Sequence, residues 1–196
     1  MSFRTLVAAL AATLLAAPAA QAQTNYGAIF SFSGGSVVQP GYVTFDVLTS
    51  GAFRFWTISE PGRDPQIFLF QGTRASLGAL VTDNDDGCIT NPAALCPGST
   101  NIRDALITPT LVGGQTYTLA IGRYTFTESE ARSGQMDGGD FSGQIVITSG
   151  NGTATNFAVA NGIPTTTTTP EPATWALMGA GLLGTAVVSR RRRTTA

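Results

Sequence analysis

Turn-forming pairs punctuate the middle of the chain, at Gly34-Gly35, Pro61-Gly62, Gly113-Gly114, Gly138-Gly139 and Asn151-Gly152, and only short apolar runs lie between them. Glycine and proline end helices and supply turns, so such spacing leaves no room for long helices. The runs themselves have the period of strands. In Tyr42-Val43-Thr44-Phe45-Asp46-Val47 the residues Val43, Phe45 and Val47 share one face, and Tyr117, Leu119 and Ile121 do the same further on. Residues 53–58 and 67–70 are almost continuously apolar, as strands covered on both faces are. Further strands are expected at 77–82, 105–111, 141–148 and 156–159. About eight short strands with glycine turns predict an all-β fold, a single β-sandwich of jelly-roll type.

The two ends read differently. Arg4, an apolar run over residues 6–17, Pro18 and Ala20-Gln21-Ala22 form the basic, apolar and cleavable regions of a secretory signal peptide, with cleavage expected after Ala22. Near the other end a threonine run over 165–169 is followed by Pro170-Glu171-Pro172, by residues 173–189 without a charge, and by Arg190, Arg191, Arg192 and Arg193. At about 1.5 Å per residue the uncharged stretch reaches roughly 25 Å, the lower limit for a helix that spans a bilayer. The four arginines would stay on the cytoplasmic side and place the body on the periplasmic side. The expected organisation is a signal peptide at 1–22, a sandwich domain at 23–160, a threonine-rich linker at 161–169 and a tail at 170–196 whose transmembrane helix is 173–189.

Composition removes several functions. The chain has no His and no Lys. Catalytic units built on histidine and zinc sites that need it are therefore excluded. Between the terminal segments six arginines face eleven carboxylates, a net charge of −5, which leaves no basic footprint for nucleic acid. Cys88 and Cys96 are the only cysteines and lie close together, so in an exported chain they are expected to form a disulfide.

The tail, taken as Pro170-Glu171-Pro172, apolar helix and arginine cluster, resembles the PEP-CTERM sorting signal of Gram-negative bacteria. The resemblance implies recognition and cutting near the Pro-Glu-Pro by a membrane-embedded cysteine protease, an exosortase, in organisms that make exopolysaccharide. It also implies delivery of the mature form to the cell surface or extracellular matrix. An ordinary C-terminal anchor that is never cut is the alternative. More loosely, Asp64-Pro65-Gln66-Ile67-Phe68-Leu69-Phe70, Asp83-Asn84-Asp85-Asp86-Gly87 and the segment from Leu111 to Ile121 resemble, in their order, the landmarks of bacterial pre-peptidase C-terminal-type domains, which are jelly-roll sandwiches. That resemblance covers residues 43–148.

Two places invite chemistry. Asp83, Asp85 and Asp86, with Asp64 brought in by the fold, supply hard oxygens of the kind Ca2+ takes, although Ala94 stands where an EF-hand would close with glutamate. A solvated turn whose Asx side chains bond the local backbone explains the same residues. Trp56 offers an indole for stacking on sugar, or a packed core residue among Phe53, Phe55 and Ile58. A hydrolase could draw a carboxylate pair from Asp85, Asp86, Glu128, Glu130, Asp137 and Asp140, yet no spacing selects one. The expectation is an exported, non-catalytic surface or exopolysaccharide-matrix protein without a cofactor, Ca2+ aside, whose partners are the exosortase, the membrane and the exopolysaccharide. A carbohydrate-binding module and a secreted hydrolase are the alternatives.

Overall fold

The computed structural model describes residues 25–32, 37–138 and 141–165. The signal peptide, the glycine pair at 34–35, Pro170-Glu171-Pro172, the apolar stretch 173–189 and the arginine cluster lie outside these residues. Among the described residues no helix is long and apolar enough to cross a membrane.

The domain is all-β. Its strands are β1 (Asn25–Phe32), β2 (Val37–Val38), β3 (Gly41–Thr49), β4 (Gly51–Ser59), β5 (Pro65–Thr73), β6 (Ser76–Asn84), β7 (Leu106–Ile107), β8 (Thr110–Leu111), β9 (Gln115–Arg123), β10 (Met136–Asp137), β11 (Phe141–Ser149), β12 (Thr153–Ala160) and β13 (Gly162–Thr165). Two short helices interrupt them, α1 (Pro92–Leu95) and α2 (Glu128–Ser133). Among the described residues one sheet runs β13-β1-β11-β4-β7, with β8 also on β4, a second runs β12-β3-β9-β5-β6, and β2 pairs with β10 apart from both. Setting aside β12 and β13 at the margins, the orders β1-β11-β4-β7 and β3-β9-β5-β6 interleave the chain as a jelly roll does. All the pairings are antiparallel, so each sheet can be built from hairpins and crossings between the sheets.

The core follows from alternation. Val43, Phe45 and Val47 of β3 and Leu119 and Ile121 of β9 face inward with Ile67 and Leu69 of β5, against Phe30, Phe53, Phe55, Ile145 and Ile147 of the other sheet. Phe45 is fully buried and meets Phe53 and Phe55 across the sandwich at ring separations of 6.5 and 5.7 Å. Burying a side chain of this size contributes about 2 to 3 kcal/mol.

Both sheets are also covered outside, which explains the continuous apolar runs. On β5, Phe68 stacks edge-on against Phe126 at 5.4 Å, and the Arg132 guanidinium lies 4.7 Å over Phe70. Those covering residues come from the segment around α2. That helix starts in a capping box, Thr127 and Glu130 exchanging side-chain and backbone bonds, and ends at Gly134 with φ 74°. On the opposite sheet the segment between β6 and β7 covers β4. The expected single strand at 105–111 is instead β7 and β8, because Pro109 between them lacks the N–H a ladder needs.

Candidate functional site

The covering segment over β4 gathers several of the residues singled out in the sequence. Cys88 and Cys96 are bonded, with Cα atoms 6.0 Å apart, and both are fully buried. They pack on Trp56 together with Ile58, Leu95, Leu106 and Val146, a small second core on the outer face. Trp56 donates from Nε1 to the Pro97 carbonyl at 3.2 Å, and the Arg54 guanidinium sits 5.4 Å from its ring. The indole is 5% exposed and offers no face to a sugar. Among the described residues the exposed aromatic is Tyr124, which stands alone.

Beside this small core lies a buried polar network that no periodicity announces. Asp104 is fully buried. Its Oδ1 accepts from Thr57 Oγ1 at 2.9 Å and Ser59 Oγ at 2.7 Å, and its Oδ2 accepts from the Ser59 N–H at 3.3 Å and from Ser99 Oγ. Asn101 extends the network, donating from Nδ2 to Ser59 Oγ and to the carbonyls of Glu60 and Arg63. Thr57 Oγ1 in turn accepts from the Ala105 N–H at 2.9 Å. All of these bonds except that between Ser99 and Asp104 join the covering segment to β4 or to the turn after it. The arrangement is a clamp, with each buried polar atom supplied in the way burial demands.

The acidic turn stands at the rim. Asp64 forms an ion pair with Arg103 at 3.1 Å. Burial pushes its carboxyl above the ordinary value; Asp86 and Asp85 push the same way, against the opposing Arg103 charge. Asp64 thus lies within electrostatic reach of Asp85 and Asp86. Asp83 is an exposed residue of β6 opposite Phe68. Among the described residues no three acidic or cysteine side chains converge closely enough to hold a metal ion. The turn bonds its own backbone, with Ile89 N–H donating to the Asp86 carbonyl.

Two of the other carboxylates, Glu128 and Glu130, have structural partners. Glu128 binds Arg132 at 2.7 Å, one helical turn away. Glu130 closes the capping box and accepts from the Asp137 N–H at 3.0 Å. Burial would raise its carboxyl, but the hydrogen bonds from Thr127 and Asp137 and the nearby Arg123 charge outweigh that and hold it below the ordinary value. Asp140 lies outside the described residues.

One open groove of about 450 Å³ sits at the end of the other sheet, between the β5–β6 turn and the turn into β9. Gln71, Thr73, Ser76, Gln115 and Thr116 line it with Gly72, Gly78 and Gly114, so its walls carry hydroxyls, amides and bare backbone but no charge. Gln71 Nε2 donates to Gln115 Oε1 at 2.8 Å across it.

No curated protein matches the chain. Residues 168–193 match a family model described as the PEP-CTERM protein-sorting motif. The match covers the tail and does not extend into the body, so it gives no support to the resemblance of residues 43–148 to pre-peptidase C-terminal-type domains. The tail is a PEP-CTERM sorting motif, a signal that is processed by exosortase, a membrane protein, and that directs export to the cell envelope.

Proposed function

We propose that the chain is an exported, non-catalytic protein of the cell surface or exopolysaccharide matrix, its β-sandwich displayed outside the cell after exosortase handling. The observation that carries this reading is the sorting motif at 168–193. In the precursor, the apolar stretch 173–189 holds the chain in the inner membrane with the body on the periplasmic side, and Pro170, Glu171 and Pro172 are the recognition element. Arg190, Arg191, Arg192 and Arg193 fix the orientation, since moving guanidinium groups across a bilayer is costly. The body acts as a displayed module without a cofactor, and the disulfide that closes the segment over β4 suits it to an oxidising setting outside the cytoplasm. Replacing the four arginines with Ser is expected to leave the precursor inverted or uncut, read as its size and protease accessibility in spheroplasts. Unchanged maturation would contradict the reading.

The neutral groove favours a second reading, a carbohydrate-binding module. Hydroxyls and amides without charge suit a neutral polyol, and the turn glycines let it approach the backbone. Under this reading the purified body is retarded in a gel containing the producer's own polysaccharide and Gln71→Ala with Gln115→Ala loses the retardation. Equal mobility of both proteins would remove it.

A further inference from the structure

The last strand of the sandwich leads straight into the sorting motif. β13 ends at Thr165, and Pro170 follows after four residues. At about 3.5 Å per residue those four reach no further than roughly 14 Å from the edge of the sheet. A body of this length has a radius of gyration of about 14 Å, so a spacer of four residues is short beside the domain it follows. A protease that takes an extended segment needs free chain on both sides of its cut. One in the membrane must find that chain beside a sandwich it cannot admit.

The margin of the sheet is made to yield. Among the described residues β13 pairs with β1 alone, in the register Gly27↔Thr165, Ala28↔Pro164, Ile29↔Ile163 and Phe30↔Gly162. Pro164 has no N–H to give to a ladder. Ile163 is 68% exposed, so freeing it uncovers little apolar surface. Among the described residues Thr165 also accepts a side-chain bond from Gln144 Nε2 at 3.2 Å. The preceding corner is firmer. Asn161 adopts φ 60° and donates from Nδ2 to the Pro40 carbonyl at 2.8 Å, and Gly162 lies so close on the Phe30 ring that a Cβ there would collide with it. β1 also pairs with β11 over eight residues, a ladder in which β13 takes no part.

We infer that β13 is a releasable strand: residues 163–165 peel from β1 during sorting, pivoting at the Asn161–Gly162 corner, and lengthen the tether ahead of Pro170. The tether grows from four residues to seven, a reach of roughly 25 Å. Release draws on local opening at the edge of the fold, where strands are least protected, and leaves the core closed. The inference rests on the sorting reading above and assigns to the body a part in its own processing.

The test locks the strand. Ile29 and Ile163 stand directly opposite each other and both are exposed, so Ile29→Cys with Ile163→Cys places a cross-strand disulfide without touching the core. Maturation in the native cells is followed by immunoblot for four chains: the unaltered protein, the locked one, the locked one with an eight-residue Gly-Ser insertion after Thr165, and one with Pro170, Glu171 and Pro172 all changed to Ala. The expected result is precursor accumulation in the locked chain, with maturation slowed roughly tenfold or more, and recovery in the locked chain with the insertion, which supplies reach without release. Maturation of the locked chain at the unaltered rate would overturn the inference. A block that the insertion does not relieve would also overturn it, because the fault would not then be reach. If the triple-Ala chain matures normally, the sorting reading fails first and the inference falls with it.

Discussion

Asp104 has no sequence signature and the highest structural demand. It follows Asn101, Ile102 and Arg103 in a segment with no period, and nothing in that context separates it from the solvated aspartates a few turns earlier. In the fold it is fully buried and serves the hydroxyls of Thr57, Ser59 and Ser99 as their common acceptor. Asp104→Ala leaves those donors without a partner in a place water does not reach, and is expected to cost about 3 to 5 kcal/mol of stability. Asp86→Ala removes an exposed charge that presses on Asp64, and is expected to change stability by less than about 0.5 kcal/mol. Urea denaturation of the two variants checks the contrast; equal effects would show that the clamp contributes nothing. The acidic turn was visible in the sequence because charge runs are conspicuous there, whereas the clamp depends on which polar atoms the fold encloses. Trp56 shows the same division. Its apolar neighbours point to a packed residue, and the packing comes from a disulfide-closed segment forty residues downstream rather than from the main core.

Elements were readable where the side chains alternate over a full strand. β3, β4, β5, β9 and β11 fall on the expected runs because one face of each must enter the core, and a shift of one residue would turn that face to water. β6 lies where it was expected but is an exposed margin, which an apolar run cannot tell from an interior position. β1 was not anticipated, although Tyr26, Ala28, Phe30 and Phe32 alternate inward, since it begins just past the expected signal cleavage site and Gly27 interrupts its pattern. α2 is six residues long, too short for a helical period, and its readable sign was the capping pair Thr127 and Glu130 with Gly134 beyond. That helix also guards the margin, because Arg132 donates to the carbonyls of Leu77 and Gly78 on β6. An edge whose carbonyls are already bonded is a poor template for another chain. The segment between β6 and β7 depends on its own staple. Cys88→Ser with Cys96→Ser is expected to lower stability by about 2 to 3 kcal/mol. Trp56 emission should shift to longer wavelength as its cover loosens, while the far-ultraviolet circular dichroism of the sandwich stays unchanged. An unshifted emission spectrum would show that the cover holds without the bond.

The whole molecule combines a body and an address. The jelly-roll order sets the two sheets face to face, and a separate segment closes the outside of each. The class of fold followed from glycine spacing and alternation alone, but which strands neighbour one another did not, because antiparallel order is decided by contacts distant in sequence. The address was the reverse case. Its information is linear, a short motif, an apolar length and a charge cluster, and it needs no tertiary structure to be read. The fate of the two ends therefore decides whether the sorting reading holds. Intact mass spectrometry of the product isolated from the envelope and medium of the native cells is the direct measurement. It is expected to show a chain that starts at Gln23 and stops near Pro170 to Pro172, with or without an added group. Recovery of the uncut 196-residue chain from the cytoplasm would contradict it.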